Sequence, residues 1–411
     1  MKIKKYVCIV LIPILLSLPC SGCKDQQKAN KYTLTILTEQ EFESQIKIAR
    51  NYLAEQSTNV DIQIKTLSTN PSTREIEIQK LITQIMAGKG YDIYLLNNLR
   101  YGDAQPTDTM PLIANPYKAM ESGLFAPLDS YMKQDDYWDK SSYNSAFLET
   151  GKYNDKQYIL PLTFTGELLL SESDWIQKPE ADNLVEWLKY AERSEDTDLK
   201  GAFIHHIFMS PNWYQPATNY QKREVQYDKE RWKEFFVSNM KFFSLNIEQS
   251  ANWSQDTSWT SVRDGLKRIE FIPDITGNRV ASIQAYGAVG MSCERKEEAY
   301  KFLMLFLNHE TELLWQGISA QGLPTDPDKY QMFFERIIKV SEETLNMTLK
   351  AYQDINCAYF ATDTESYLEE AVEKAVTEGK WEKTKDWDAC EKVGSEIAEN
   401  ARKLYENQVK E

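Results

Sequence analysis

The chain has 411 residues, enough for about two to three domains at roughly 150 residues each. Hydrophobic residues make up 42% and charged residues 27%, with only 16 Gly and 14 Pro, which excludes collagen-like and disordered classes. Acidic residues number 62 against 47 basic ones, a formal charge of −15, so a nucleic-acid backbone or an anionic lipid surface would repel the chain.

The first element in chain order is a leader. Lys2, Lys4 and Lys5 precede an apolar run from Tyr6 to Leu18 that Pro13 interrupts. The run is shorter than the roughly 20 residues that span a bilayer, so it reads as a secretory signal. It ends in Cys20-Ser21-Gly22-Cys23, which resembles the lipobox at which bacterial lipoproteins are cut and acylated, with Cys20 in place of the usual leucine. The resemblance implies that residues 1–22 are a lipoprotein signal peptide and that Cys23 carries the lipid; a plain signal peptide cut nearby is the alternative. Residues 23–31 have no apolar side chain beyond Ala29 after the cysteine and read as a flexible tether.

Leu34 and Ile36 then alternate with threonines, Phe42, Ile46, Ala49 and Leu53 recur at helical spacing, and Ile62 and Ile64 alternate again, which makes a β-α-β unit. A second helix is expected to be capped by Ser72 with Glu75 three residues on, to carry Ile78, Leu81, Ile82 and Ile85 on one face, and to end at Gly88 and Gly90. A strand over Asp92 to Leu96 follows. Such alternation predicts an α/β fold with a mostly parallel, doubly wound sheet. Its ligand crevice lies beyond the carboxyl ends of the strands, at Thr38-Glu39-Gln40 and Asn97-Asn98.

Residues 201–280 combine strand-like pieces, a helix with Trp232, Phe235, Phe236, Met240 and Phe243 at helical spacing, and loops carrying Trp213, Tyr214, Trp253 and Trp259. From Ala299 the pattern is helical again, and Ala389, Val393, Ile397, Ala401 and Leu404 mark an amphipathic helix near the C-terminus. Beyond the leader and Cys23 the cysteines are Cys293, Cys357 and Cys390. Their odd number flags a free thiol, and Cys357 and Cys390 either pair or serve as buried small hydrophobes. His205-His206 and His309 lack the spacing of a metal set and read as structural, and no phosphate loop or nucleophile elbow is present. No metal, cofactor or catalytic residue is expected.

Four stretches together resemble the family 1 extracellular solute-binding proteins, the group that holds the maltose- and oligosaccharide-binding proteins of ABC importers. They are Gly90–Asn97 with Gly123–Met132, the hairpin-like Gly151–Leu170, Ala285–Glu310 and Gln321–Asp328, in the family's order and spacing. Asp155, Ile159 and Leu168-Leu169-Leu170-Ser171 depart from the family pattern.

The resemblance implies a two-lobed periplasmic-binding-protein-like fold with discontinuous α/β lobes, 32–162 plus 287–322 and 166–282 plus 326–411. Hinge strands near Thr163–Thr165, Ser282–Tyr286 and Leu323–Thr325 join them. It also implies a monomer, lipid-anchored on the extracytoplasmic face of the cell membrane, that delivers a solute, a carbohydrate foremost, to ABC permease subunits. A surface hydrolase and a sensory module for a membrane receptor kinase are the competing functions. Sugar rings stack a C–H face on aromatics and need polar partners for their hydroxyls. Trp213 and Tyr214, between prolines, and Tyr286 at the second crossing are the candidate stackers; packed loop anchors are the alternative. Glu39, Asn98 and Glu167 are the candidate polar contacts, with capping or turn roles as the alternative.

Overall fold

The computed structural model describes residues 32–55, 60–98, 110–140, 143–172, 182–195, 199–200, 213–245, 253–256, 261–308 and 322–410. Cys23, the three histidines and Trp259 lie outside them.

The chain opens with β1 (Tyr32–Thr38), α1 (Glu43–Glu55), β2 (Val60–Thr66), α2 (Pro71–Met86) and β3 (Ile93–Asn97). β2 and β3 flank β1 in parallel, with Leu34 opposite Ile62 and Ile36 opposite Ile93. The second helix is capped two residues earlier than expected: Asn70 accepts from the Thr73 N–H and Pro71 takes the first helical position. Proline is pre-organised there and brings no orphan N–H, so the Asn-Pro pair outcompetes Ser72. Gly88, at φ +77°, ends the helix as expected.

A short helix, α3 (Pro116–Glu121), precedes a hairpin whose arms pair Lys152 with Gln157 and Tyr153 with Lys156. Asn154 and Asp155 both have positive φ at its tip, so Asp155 supplies the conformation for which the family pattern uses glycine. Two strands follow, β4 (Ile159–Thr165) and β5 (Leu168–Ser171), then α4 (Leu184–Arg193), α5 (Lys229–Phe243), β6 (Trp253–Asp256), β7 (Arg268–Phe271) and the long β8 (Val280–Val289). The chain closes with α6 (Lys296–Met304), β9 (Leu323–Pro324), α7 (Glu342–Asp354), β10 (Cys357–Tyr359), α8 (Asp363–Gly379) and α9 (Trp387–Lys410).

The larger sheet has seven strands in the order β9-β4-β8-β3-β1-β2, with β10 also on β8. It is mixed rather than mostly parallel, because β8 runs antiparallel to β3 and β4. β6-β5-β7 form a separate antiparallel sheet. Side chains alternate faces along a strand. Ile93 and Leu95 thus join a core with α1 and α6, while Tyr94 and Leu96 join one with α2 and α3. β5 works likewise: Leu168 and Leu170 enter the core shared with Phe164, Tyr330 and Tyr352, and Leu169 enters a core built from α4, α5, α8 and α9. The leucines that depart from the family pattern are the central strand of a sheet buried on both faces, which calls for continuous apolar residues. On α9 the buried face runs through Cys390, Ile397, Ala401 and Tyr405, and Leu404 points outward. All three described cysteines are free.

The three crossing segments expected from the sequence lie side by side: Ser282 pairs with Thr165, Leu323 with Phe164 and Pro324 with Thr163. Gly322 leads into the third at φ +109°, and a Cβ there would sit 2.5 Å from the Phe164 carbonyl oxygen. Gly322→Ala should cost about 1–3 kcal/mol of stability, read by urea denaturation.

Just past this crossing Lys329 is buried and donates from Nζ to the Phe306 carbonyl at 2.9 Å. Burial pushes its ammonium down to about 7, against the pull of Asp326. The unfolded chain then binds more protons than the folded one from about pH 7 up to the ordinary lysine range, so the Lys329 contribution makes stability rise with pH across that window. Melting temperatures between pH 7 and 9 should climb less steeply in Lys329→Met than in the native protein.

Candidate functional site

The loop Phe360-Ala361-Thr362 is where the two sheets' surroundings meet. It is held rigidly because Thr362 caps α8 in a capping box with Glu365. Glu365 is buried, and its other oxygen accepts from the Tyr405 hydroxyl at 2.8 Å and the Gln215 amide at 3.3 Å. From the larger sheet and α3, Asn98 donates to the Ala361 carbonyl at 3.3 Å, the Tyr117 hydroxyl accepts from the Phe360 N–H at 3.2 Å, and the Tyr286 ring meets Phe360 edge-on at 5.4 Å.

From the other side comes Tyr220, in a turn between Thr218–Asn219 and Glu224–Val225. Its ring stacks on Tyr117 at 4.5 Å between centroids and 15° between planes. Asn115, which caps α3, donates to the Tyr220 hydroxyl at 3.1 Å. That hydroxyl donates to Gln408 at 3.2 Å, and Gln408 donates to Thr362 at 3.0 Å. Beside the stack, Glu121 accepts from Lys118 at 2.8 Å, Arg223 at 2.7 Å and Tyr153 at 3.1 Å. These donors, Lys118 first, hold its carboxyl down at about 2. Burial drives the Tyr117 hydroxyl far above its usual range, so it stays protonated.

At the end of β3 the side-chain oxygens of Asn97 and Asn98 are buried and have no donor among the described residues. Buried acceptors of this kind nearly always have a partner. Asn98 is held in place by its own N–H on the Gln284 carbonyl, 2.6 Å away. Gln284 sits at a bulge, a register shift between Ile283 and Ala285, and its side chain reaches Thr165 at 2.9 Å. A bulge re-aims the strand where it occurs. The arrangement combines a stacked aromatic pair, amide oxygens without a donor among the described residues and several fixed hydroxyls, the groups by which a neutral polyhydroxylated molecule is held. No group of acidic, histidine or cysteine side chains among the described residues is arranged to hold a metal.

The structure distributes the expected site residues unevenly. Asn98 stands at the loop, and Glu167, half-buried, lies in the two-residue link from β4 to β5. There, Gly166 leaves only 2.2 Å between a notional Cβ and the Phe271 ring. Glu39 is committed elsewhere: Arg74 donates to both its oxygens at 2.8 Å with both side chains buried, and burial raises its carboxyl despite that partner. Trp213 is 2% exposed, with Trp232 stacked at 5.5 Å and Phe235 edge-on at 4.8 Å, so it packs as a core residue and offers no free face. Tyr286 is 1% exposed and likewise belongs to the core, behind Phe360. Tyr214 is half-buried against Tyr227. Sequence reasoning missed Asn115, Tyr117, Tyr220 and Gln408. The Asn115-Pro116 pair signals a helix start, but nothing local separates Tyr117 and Tyr220 from the other tyrosines.

No family model and no curated protein matches the chain. Solved structures do. The sugar-binding protein MalE of Xanthomonas citri aligns with a TM-score of 0.57 at 10% identity, covering 91% of this chain and 99% of that one. An extracellular solute-binding protein of family 1 from Alicyclobacillus acidocaldarius aligns with 0.56 at 10% identity, covering 91% and 98%. The chain has the two-lobed fold of the family 1 extracellular solute-binding proteins. A third structure with this solute-binding fold, an ABC substrate-binding protein of Listeria monocytogenes in complex with cycloalternan, aligns with 0.51 at 15% identity over 91% and 99%.

Two substitutions separate packing from binding. Trp213→Ala should cost about 3–5 kcal/mol of folding stability, and Arg74→Ala a similar amount, about 3–5 kcal/mol, by leaving the Glu39 carboxylate buried and unpaired. Denaturant melts of both variants, against Tyr220→Ala as a boundary control with a smaller loss, check this.

Proposed function

We propose that this protein is a lipid-anchored, extracytoplasmic solute-binding protein that captures a carbohydrate between its lobes and delivers it to an ABC importer. The observation that carries the reading is that Asn98, whose buried side-chain oxygen has no donor among the described residues, meets the same Phe360–Thr362 loop as the stacked Tyr117 and Tyr220. Support also comes from the fold, shared with proteins named for sugar and cycloalternan binding. The lobes are taken as 32–162 with 287–322 and 166–282 with 326–411. Residues 326–361 pack at the junction, since Tyr330, Phe334 and Tyr352 share a core with residues of both sheets.

In this reading Asn98, Glu167 and Tyr214 contact the solute together with Asn115, Tyr117, Tyr220 and Gln408. The Tyr117–Tyr220 stack opens to admit a sugar ring. Ligand touching both lobes favours the closed form by its differential affinity, with β4, β8 and β9 taking the rotation. The permease then recognises the closed form. Cys23 supplies the lipid, and the protein acts as a monomer.

A thermal-shift screen over mono- and oligosaccharides should find a stabilising ligand, since saturation at 100 times Kd adds about 2.7 kcal/mol. With that ligand, Tyr117→Ala and Tyr220→Ala should each weaken binding by about tenfold, the loss of one stacking contact. Scattering should record a smaller radius of gyration on binding. A library without any carbohydrate hit, or both variants binding normally, refutes the site. Mass spectrometry of the mature N-terminus should find an acylated Cys23; an unmodified start elsewhere refutes the anchor.

A further inference from the structure

A cavity of about 830 Å³ opens beside the lobe boundary, between the C-terminal turns of α2 and the start of α3. Its wall is apolar: Ile82, Ile85, Leu112, Ile113, Leu124 and Met291 line it. Ile82 is 39% and Met291 44% exposed, and Met86, also on the rim, is 83% exposed. Neighbouring exposed apolar side chains of this kind mark sites rather than chance surface. The volume lies within the range of small-molecule pockets, which pair an apolar wall with a few placed polar groups. Here those groups are Asn115 and Gln408, both already in the hydrogen-bonded chain that crosses the lobe boundary, with Lys118 and Asp363 beside them. The cavity therefore shares Asn115 and Gln408 with the proposed sugar site.

We infer that this cavity receives an apolar substituent carried by the captured carbohydrate, an alkyl or aryl aglycone. The preferred solute is then a glycoside rather than a plain sugar. The inference rests on the carbohydrate reading above and narrows it. A wholly polar oligosaccharide would leave this wall against water, whereas each methylene of an aglycone moved onto it adds to affinity.

Two probes test it on the full-length protein. First, 8-anilinonaphthalene-1-sulfonate should bind saturably with a fluorescence rise, about tenfold more weakly in Ile82→Glu combined with Met291→Glu; both residues are partly exposed, and the melting temperature checks that the variant folds. Second, methyl and hexyl glycosides of glucose, galactose and mannose are compared by calorimetry. For the sugar that binds, the hexyl form should exceed the methyl form by about tenfold or more and displace the fluorescent probe. In the double variant that advantage should vanish while the methyl glycoside binds as before. Equal affinity of methyl and hexyl forms, or a probe bound equally by the double variant, overturns the cavity inference alone. If no sugar or glycoside binds at all, the carbohydrate reading falls and this inference with it.

Discussion

The site depends on the pairing of β8. This strand hydrogen-bonds to β3 on one side and β4 on the other, so it fixes how the end of β3 faces the crossing into β5. Its bulge at Gln284 shifts the alternation by one residue. Ile283 and Tyr286 share one face and Ala285 takes the other, while against β3 the register runs on unbroken from Ala285 opposite Asn97 to the Asn98 N–H on the Gln284 carbonyl.

Buried charge is spent on scaffold, not on ligand. Glu39 and Arg74 satisfy each other bidentately, and the Arg74 Nε also donates to the Met110 carbonyl at 2.8 Å, which ties the chain entering α3 to the loop after β1. Such a pair contributes little net stability but is costly to break. Asp274 plays a comparable part behind the site: it accepts the backbone N–H groups of Gln215, Thr276 and Asn278 and anchors the Trp213–Gln215 segment. At the boundary the Tyr117–Tyr220 stack and its amide neighbours are neutral, and Glu121 beside them is paired with Lys118 and Arg223. A neutral site fits an uncharged solute, which would bring no counter-charge to offset a desolvated ion.

The aromatic side chains divide by their partners. Trp213, Trp232, Phe235 and Phe236 cover one another and fill the core under α5 and α9. Tyr117 and Tyr220 come from different parts of the fold and stack on each other, with Phe360 edge-on to Tyr117 at 5.6 Å. A stack of this type is worth about 0.5–1.5 kcal/mol beyond the area buried, small enough for a ligand ring to displace.

By itself the sequence determined the elements and the class: alternation placed β1, β2 and β3, helical spacing placed α1, α5 and α9, and the ordered motifs pointed to a two-lobed α/β fold with crossings at 163–165, 282–286 and 323–325. These are local signals, carried by periodicity, caps and turns within a few residues. Only the tertiary structure decided which aromatics are core and which meet across the boundary, because burial depends on partners far apart in the chain. Trp213 finds Trp232 and Phe235, whereas Tyr220, with nothing distinctive around it, finds Tyr117 more than a hundred positions away. The same holds for Glu39, which read as a cleft carboxylate until the fold brought Arg74 to it, and for the direction of β8. Its antiparallel run is set by where the chain re-enters the larger sheet after the β6-β5-β7 sheet, a constraint that no local pattern encodes.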